Sequence, residues 1–111
     1  MKSTRSTGVY YENRSKLYLE KMGYKVEKFY ARLAFFGGKP HAMHHDGWGC
    51  VDMIGIRRDS VVFVQVKFLG VGSHGSLAET RRKLAALPAP AGSVWLHVWS
   101  SGAHKPECEM I

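Results

Sequence analysis

Two apolar runs near the middle of the chain, residues 51–56 and 61–67, have the composition of the paired strands of a β-hairpin. Side chains alternate between the two faces of a strand. Asp52 therefore shares one face of the first strand with two isoleucines, and Gln65 and Lys67 share one face of the second strand with a phenylalanine. Apolar strands seldom carry an acid, an amide and a lysine, so this hairpin is the first candidate for a functional site.

The position of the hairpin loop decides which of these side chains face each other. With Arg58-Asp59 as the loop, Asp52 lies opposite Gln65. With Asp59-Ser60 as the loop, Asp52 lies opposite Lys67. Side chains directly opposite each other in a hairpin are close enough to interact. Both alternatives place the three polar groups on the same face, within reach of one metal ion and one phosphate.

The rest of the chain alternates between helical and extended patterns. The predicted first helix, residues 9–22, has Val9, Tyr10 and Leu17 on its apolar face and ends at Gly23. In chain order, the other predicted elements are a strand over residues 24–36 with a bulge or bend, a loop over 36–49, the hairpin, a glycine-rich connection over 69–76, a helix over 77–87 and a strand over 94–99. This order predicts a mixed α/β fold with helices flanking a central mixed sheet.

The composition fits one domain spanning residues 1–111, with a flexible basic arm over 1–7 and a loose tail over 100–111. The hydrophobic share of 45% is enough for a buried core. The length of 111 residues is enough for one domain and too short for two. No apolar run reaches the length of a membrane span, and no apolar signal core follows the basic start. We therefore expect a cytoplasmic protein without a membrane partner, in which Cys50 and Cys108 are free thiols.

The chain is basic, with a formal net charge of +7 and a pI of about 9.7. A charge of this size favours a polyanionic partner such as nucleic acid. The candidates for phosphate contacts are Lys2 and Arg5 on the arm, Arg32 and Lys39 beside the predicted loop, and Arg81, Arg82 and Lys83 on the predicted second helix. Such contacts supply affinity and salt dependence but carry no sequence information.

The hairpin pattern, an Asp on one strand and Gln65-x-Lys67 on the next, resembles the PD-(D/E)XK nuclease superfamily. In that superfamily an Asp on one strand and an acidic-x-Lys on the next bind Mg²⁺ and position a water for phosphodiester cleavage. Gly8-x-x-x-Glu12 on the first helix and Gly23-Tyr24 at its end make the chain most similar to archaeal and phage Holliday junction resolvases. The similarity covers nearly the whole chain, from about Gly8 to Trp99.

The resemblance implies an αβββαβ core and a catalytic site made of Glu12, Asp52, Gln65 and Lys67. Glu12, Asp52 and Gln65 would bind Mg²⁺, with Mn²⁺ as an expected substitute. Lys67 would orient the attacking water or stabilise charge at the phosphate. The chain departs from the family at Gln65, where Glu is usual, and at Val51, where Pro is usual. A neutral amide holds a metal ion less tightly than a carboxylate.

The resulting prediction is a Mg²⁺-dependent, structure-selective DNA endonuclease that resembles a Holliday junction resolvase of recombination and repair. By the same resemblance it acts as a homodimer on branched DNA such as a four-way junction, in a prokaryotic, archaeal or phage setting. The alternatives are another endonuclease of the superfamily, of nicking or restriction type, a nuclease-like DNA-binding module that has lost cleavage, and an RNA-binding protein that uses the same basic surface.

The loop over residues 36–49 is rich in glycine and histidine, and a loop of this length in a small domain is often functional. Residues 41–45 and Cys50 include side chains that bind zinc. Their spacing matches no common zinc pattern, so a polar surface loop is the favoured interpretation. Asp46 is a further candidate for the carboxylate that Gln65 lacks. Trp48 is the aromatic side chain that we expect to be most exposed.

Overall fold

The computed structural model of the chain describes residues 4–29, 32–36, 39–43, 48–70 and 77–111, with the backbone alone for 4–6, 32–36 and 39–43. The predicted candidates Lys2, His44, His45 and Asp46 lie outside the described residues. The described elements are α1 (Thr4–Lys21), β1 (Lys25–Lys28), β2 (Arg32–Phe36), β3 (Lys39–Met43), β4 (Met53–Arg57), β5 (Ser60–Leu69), α2 (Ala78–Ala85), β6 (Val94–Ser100) and β7 (Glu107–Met110).

The centre of the fold is a five-stranded mixed sheet in the order β1-β4-β5-β6-β7. β4 and β5 form the predicted antiparallel hairpin, and the chain crosses through α2 to β6, which runs parallel to β5. Parallel neighbours need such a crossover because a tight turn cannot join them. The predicted mixed α/β class is therefore confirmed.

Each helix covers one face of this sheet with apolar side chains. On one face, Leu19 of α1 packs in a cluster with Val62 and Val64. On the other face, Leu84 of α2 packs with Leu96 in a second cluster. Within the described residues, neither helix is long and apolar enough to cross a membrane.

Helix α1 buries a different face from the one that its apolar residues predicted. Tyr11, Ser15 and Leu19 recur every four residues and lie buried against the sheet, whereas Leu17 is 58% exposed. Ser15 Oγ accepts a hydrogen bond from Trp99 Nε1 at 2.7 Å. Because this bond satisfies the hydroxyl, a polar residue can occupy the centre of the buried face. The periodicity of apolar residues alone therefore predicted the wrong face of the helix.

The predicted strand over residues 24–36 is in fact two strands that belong to different sheets. β1 pairs with β4, and β2 pairs with β3, which lies inside the predicted loop over 36–49. The change of alternation after Val26, which suggested a bend, marks the place where the chain leaves the central sheet. Arg32 and Lys39 thus lie at opposite ends of a second hairpin, because Arg32 pairs with Met43 and Lys39 pairs with Phe36.

The predicted arm and tail are both shorter than the sequence indicated. α1 begins at Thr4, so residues 4–7 are helical. At the other end, β7 pairs with β6, and the Ile111 N–H donates to the Val94 carbonyl oxygen at 2.9 Å. Two of the four residues in β7 are glutamates, so hydrophobicity could not reveal this edge strand. Cys50 and Cys108 are free thiols, as predicted.

Candidate functional site

The candidate site is centred on a β-bulge at Asp52, directly before β4. Met53 is registered opposite Val64, and the N–H of Asp52 also donates to the Val64 carbonyl oxygen at 2.8 Å. Two residues facing one on the partner strand constitute a bulge, which bends the strand and redirects a side chain. Asp52 Oδ2 accepts a hydrogen bond from the Val66 N–H at 2.8 Å, so the carboxylate replaces the next backbone bond of the ladder.

This bulge refines the predicted geometry of the hairpin. Arg57 is registered opposite Ser60, so Arg58-Asp59 is the two-residue loop and the first of the two predicted registers is present. At Asp52, however, the bulge turns the carboxylate toward the backbone of β5. Asp52 is therefore adjacent to Gln65 as expected, but a hydrogen bond from the backbone of β5 fixes the orientation of the Asp52 carboxylate.

Gln65 and Lys67 carry the polar groups of this region that the protein itself does not satisfy. Gln65 is 9% exposed, and its amide makes no hydrogen bond to any described residue. Among the described residues, His97 Nε2 alone is a fully buried side-chain atom without a partner, so the Gln65 amide atoms keep contact with solvent. Lys67 is half-buried and forms no ion pair with a described residue. Buried polar groups are nearly always hydrogen-bonded, so the Gln65 amide is suited to a ligand or to ordered water.

Glu12 lies on the α1 face and pairs with Lys28 of β1, whereas Gln65 and Lys67 share the α2 face with Phe63. The Lys28 ammonium donates to Asn13 Oδ1 at 2.7 Å and lies 3.6 Å from Glu12 Oε1. Lys28 is registered opposite Met53, and the next residue, Phe29, donates its N–H to the Asp52 carbonyl oxygen at 2.9 Å. These contacts place Glu12 beside β1, the strand next to the bulge, and do not bring its carboxylate to the face that carries Gln65 and Lys67.

Lys28 was not identified from the sequence, although a signal for it exists. Val26 and Lys28 alternate with exposed residues along β1, so both side chains point into the α1 face. The Lys28 side chain is only 4% exposed. A buried lysine is costly unless it is paired and hydrogen-bonded, and Glu12 and Asn13 supply those contacts. A lysine at an inward position of a strand could have indicated an acidic partner nearby.

The donor groups of this region are all oxygens, which is the ligand type that Mg²⁺ prefers. Within the part of the chain that the structure describes, no group of three or more His, Cys, Asp or Glu side chains is placed to hold a metal ion. Mg²⁺ keeps several waters and needs only two or three protein oxygens. Asp52 and Gln65, which are neighbours across the bulge, fit such a hydrated ion and would hold it weakly.

The other predicted phosphate contacts are distributed over the surface. Arg81 pairs with Glu109 at 2.7 Å, and this hydrogen bond raises the pKa of Arg81. Arg82 lies 3.4 Å and Lys83 lies 3.9 Å from the same carboxylate of Glu79. Arg5, Arg32 and Lys39 are placed by their backbone alone, and their side chains lie outside the description.

A second polar cluster, made of Ser15, His97 and Trp99, lies on the α1 face. His97 and Ser15 are fully buried, and His97 Nδ1 lies 3.1 Å from Ser15 Oγ. Burial lowers the pKa of His97 to about 4. Sequence reasoning assigned His97 no role, since a histidine in an apolar strand does not by itself indicate a partner on a distant helix.

Comparison of the chain with protein-family models, with curated proteins and with solved structures gives no match. The functional interpretation therefore depends on the chemistry of the site itself.

Proposed function

We propose that the chain is a metal-dependent DNA endonuclease of the PD-(D/E)XK type that acts on branched DNA, as Holliday junction resolvases do. The observation that carries this proposal is that the amide of Gln65, next to the fixed Asp52 carboxylate, and the ammonium of Lys67, on the same strand face, have no partner among the described residues. Polar groups that the protein leaves unsatisfied are open to water or to a ligand.

The element order supports the family assignment. α1, β1, β4, β5, α2 and β6 occur in the order of the αβββαβ core that the resemblance implies. β2, β3 and β7 are additions to that core. The candidate residues come from α1, β5 and the residue before β4, as the resemblance requires.

Each side chain has a defined part in phosphodiester hydrolysis. Asp52 holds its carboxylate in place through the Val66 N–H, and the Gln65 carbonyl oxygen is a neighbouring ligand or water acceptor. Lys67 supplies a positive charge that forms no ion pair with a described residue, which suits the phosphate and the developing negative charge. Glu12 pairs with Lys28 on the α1 face, so its part in metal binding rests on the resemblance alone. A bound Mg²⁺ would supply Lewis acidity and lower the pKa of a water.

One rival follows from a specific observation. Gln65 is neutral, and the described residues present no cluster of three carboxylates, so a nuclease-like DNA-binding module without cleavage is the second candidate. The basic charge and the phosphate contacts would be the same in both proteins. The rivals differ in cleavage alone.

The proposed substrate requires two cuts, in strands of matching polarity. A symmetric homodimer supplies two identical sites related by a two-fold axis, which matches the symmetry of a four-way junction. The proposal therefore includes a homodimer inside the cell. Sedimentation with and without junction DNA measures this property directly.

The experiment that tests the function is a cleavage assay on end-labelled four-way junction, flap, linear duplex and single-stranded DNA. Each substrate is incubated with Mg²⁺, with Mn²⁺ and with EDTA. Paired nicks in the junction that require a divalent metal are the expected result. Cutting of linear duplex would favour a nicking or restriction-type enzyme. Tight junction binding without cutting in either metal would favour the binding module and overturn the proposed activity.

A further inference from the structure

Trp48 has an unusual backbone and an exposed ring. Its φ angle is +54°, in the left-handed region that residues with a side chain seldom adopt. The residue is 65% exposed. A strained backbone conformation persists only where the surrounding structure holds it, and such strain is concentrated at functional sites.

The Trp48 ring stands between two clefts on the α2 face of the sheet. It makes a T-shaped contact with the ring of Phe63, with ring centroids 5.5 Å apart at 78°. On one side lies an apolar cleft of about 160 Å³, lined also by Leu87, Pro88 and Pro90. This volume is below the roughly 300 Å³ at which pockets for small-molecule ligands begin. The cleft suits one flat ring that remains partly exposed.

The cleft on the other side of Trp48 is cationic. It has a volume of about 440 Å³ and is lined by Arg82 and Lys83 of α2. Both cations rely on the single carboxylate of Glu79, so the group has a net positive charge. Exposed ion pairs of this kind contribute little stability, and a phosphate can displace them. An aromatic platform beside cations is the arrangement that binds single-stranded nucleic acid.

We propose that Trp48 is a stacking platform for one unpaired DNA base, and that Arg82 and Lys83 bind the adjacent phosphate. The inference rests on the proposed function in taking DNA as the ligand, and it deepens that function by naming the part of the substrate that is recognised. Every base has a flat apolar face, so the platform selects unpaired DNA without selecting sequence.

The location of the platform connects it to the proposed cleavage site. Phe63 precedes Gln65 by two positions on β5 and shares its face, which places their Cα atoms about 7 Å apart. Successive phosphates in one strand of duplex DNA rise by about 3.4 Å. A base stacked on Trp48 therefore lies only a few nucleotides from a phosphate at Gln65 and Lys67. Branch points and frayed ends present unpaired bases at such a distance from paired DNA.

The test is equilibrium binding of a fluorescein-labelled single strand and of a matched duplex, in EDTA so that no cleavage occurs. The variants Trp48→Phe and Trp48→Leu both keep a side chain at the strained φ, and they differ in having or lacking an aromatic ring. We expect Trp48→Leu to bind the single strand about tenfold more weakly, within the roughly 5- to 150-fold range of base stacking. Trp48→Phe should stay within about threefold of the parent, because it retains a ring for stacking.

Two controls make the result decisive. Ile56 is 55% exposed and does not line the Trp48 clefts, so Ile56→Ala should bind both DNA forms as the parent does. Single-stranded DNA should also quench the emission of the exposed Trp48 in the parent, and this quenching should be absent in Trp48→Phe. Duplex binding should change by less than about threefold in every variant, because phosphate contacts dominate it.

The outcomes separate this inference from the endonuclease proposal. Equal single-strand binding by the parent and Trp48→Leu, or no quenching in the parent, would overturn the stacking role while junction cleavage could still be observed. Selective loss of single-strand binding in Trp48→Leu would support the platform even if no cleavage were found. Failure of the parent to bind any DNA would overturn both proposals.

Discussion

Two polar clusters lie in the same central sheet, and they differ in where their hydrogen bonds go. On the α1 face, Ser15 Oγ lies 2.7 Å from Trp99 Nε1 and 3.1 Å from His97 Nδ1, and all three residues are buried. At the bulge, Gln65 and Lys67 make no such contacts with described residues and keep contact with solvent. The first cluster joins helix α1 to the sheet through its own hydrogen bonds, and the polar groups of the second are left to solvent or to a ligand.

The difference shows how a structural polar group can be distinguished from a functional one. Burial by itself does not separate them, because Gln65 and His97 are both buried. What separates them is whether the protein supplies the partners. His97 Nε2 lacks a partner too, but it is fully enclosed, so no ligand can reach it. The following predictions test whether the two clusters can be disrupted independently.

The largest effect should come from Lys67→Ala at the bulge. Removing this charge should lower the cleavage rate of a four-way junction by about 100-fold or more, as does the loss of one group that stabilises a transition state. The stability should hardly change, because Lys67 makes no ion pair with a described residue. Single-turnover cleavage and urea unfolding measure the two properties. Lys25→Ala, an exposed lysine on β1, is the matched control and should cleave at the parental rate.

The His97 cluster should respond to pH instead. The pKa of His97 is about 4 in the folded protein, against an ordinary value of about 6.5. The unfolded state therefore binds the proton more tightly, and the free energy of unfolding should fall as the pH drops from about 6.5 toward 4. The full loss is about 3 kcal/mol at 1.36 kcal/mol per pKa unit. Urea unfolding at a series of pH values measures it.

A variant pair assigns this pH dependence to one residue. His97→Gln should show a flatter stability profile between pH 6.5 and about 4. His104→Gln changes an exposed histidine and should leave the parental profile unaltered. A His97→Gln profile as steep as that of the parent would show that other groups control acid unfolding.

A smaller effect is expected for Ser15→Ala. The substitution leaves the Trp99 indole N–H without its acceptor, and a buried donor without a partner costs about 1–3 kcal/mol. Thermal or urea unfolding should show this loss, while the rate of junction cleavage by the folded protein should match that of the parent. Ser100→Ala, at an exposed position of β6, is the matched control. Equal loss of cleavage and of stability in Ser15→Ala would show that the two clusters are coupled.

The smallest effect is expected for Gln65→Glu, which tests metal binding at the bulge most specifically. A carboxylate at this position adds one negative charge beside Asp52 and should strengthen Mg²⁺ binding on the order of tenfold. The Mg²⁺ concentration that gives half-maximal cleavage measures this affinity. A requirement for more Mg²⁺ in Gln65→Glu than in the parent would remove Gln65 from the metal site.

The sequence predicted the parts of the fold that local patterns control. The alternation of apolar residues predicted the hairpin and β6. One of the two predicted hairpin loops, Arg58-Asp59, is the loop in the structure. Long-range hydrogen bonds decided the rest. Ser15 lies in the buried face of α1 because its partners, His97 and Trp99, are more than 80 positions away along the chain.

The sequence predicted which residues belong to the candidate site better than it predicted how they are arranged. Asp52, Gln65 and Lys67 were identified as polar residues in apolar strands, and the structure places them together on the hairpin. The bulge that orients Asp52 depends on a backbone N–H of the partner strand, which no local pattern reports. Lys28 was missed because a lysine in a short strand is ordinarily exposed, and only the fold shows that it is enclosed by α1.

The most direct test of the account is single-turnover cleavage of a labelled four-way junction by the parent and by Asp52→Asn in Mg²⁺. Asparagine retains an oxygen that can accept the Val66 N–H, so the bulge is kept and only the charge is lost. We predict paired nicks by the parent, and junction binding without nicks by the variant. Cleavage by Asp52→Asn at the parental rate, or no cleavage by the parent with any divalent metal, would contradict the account.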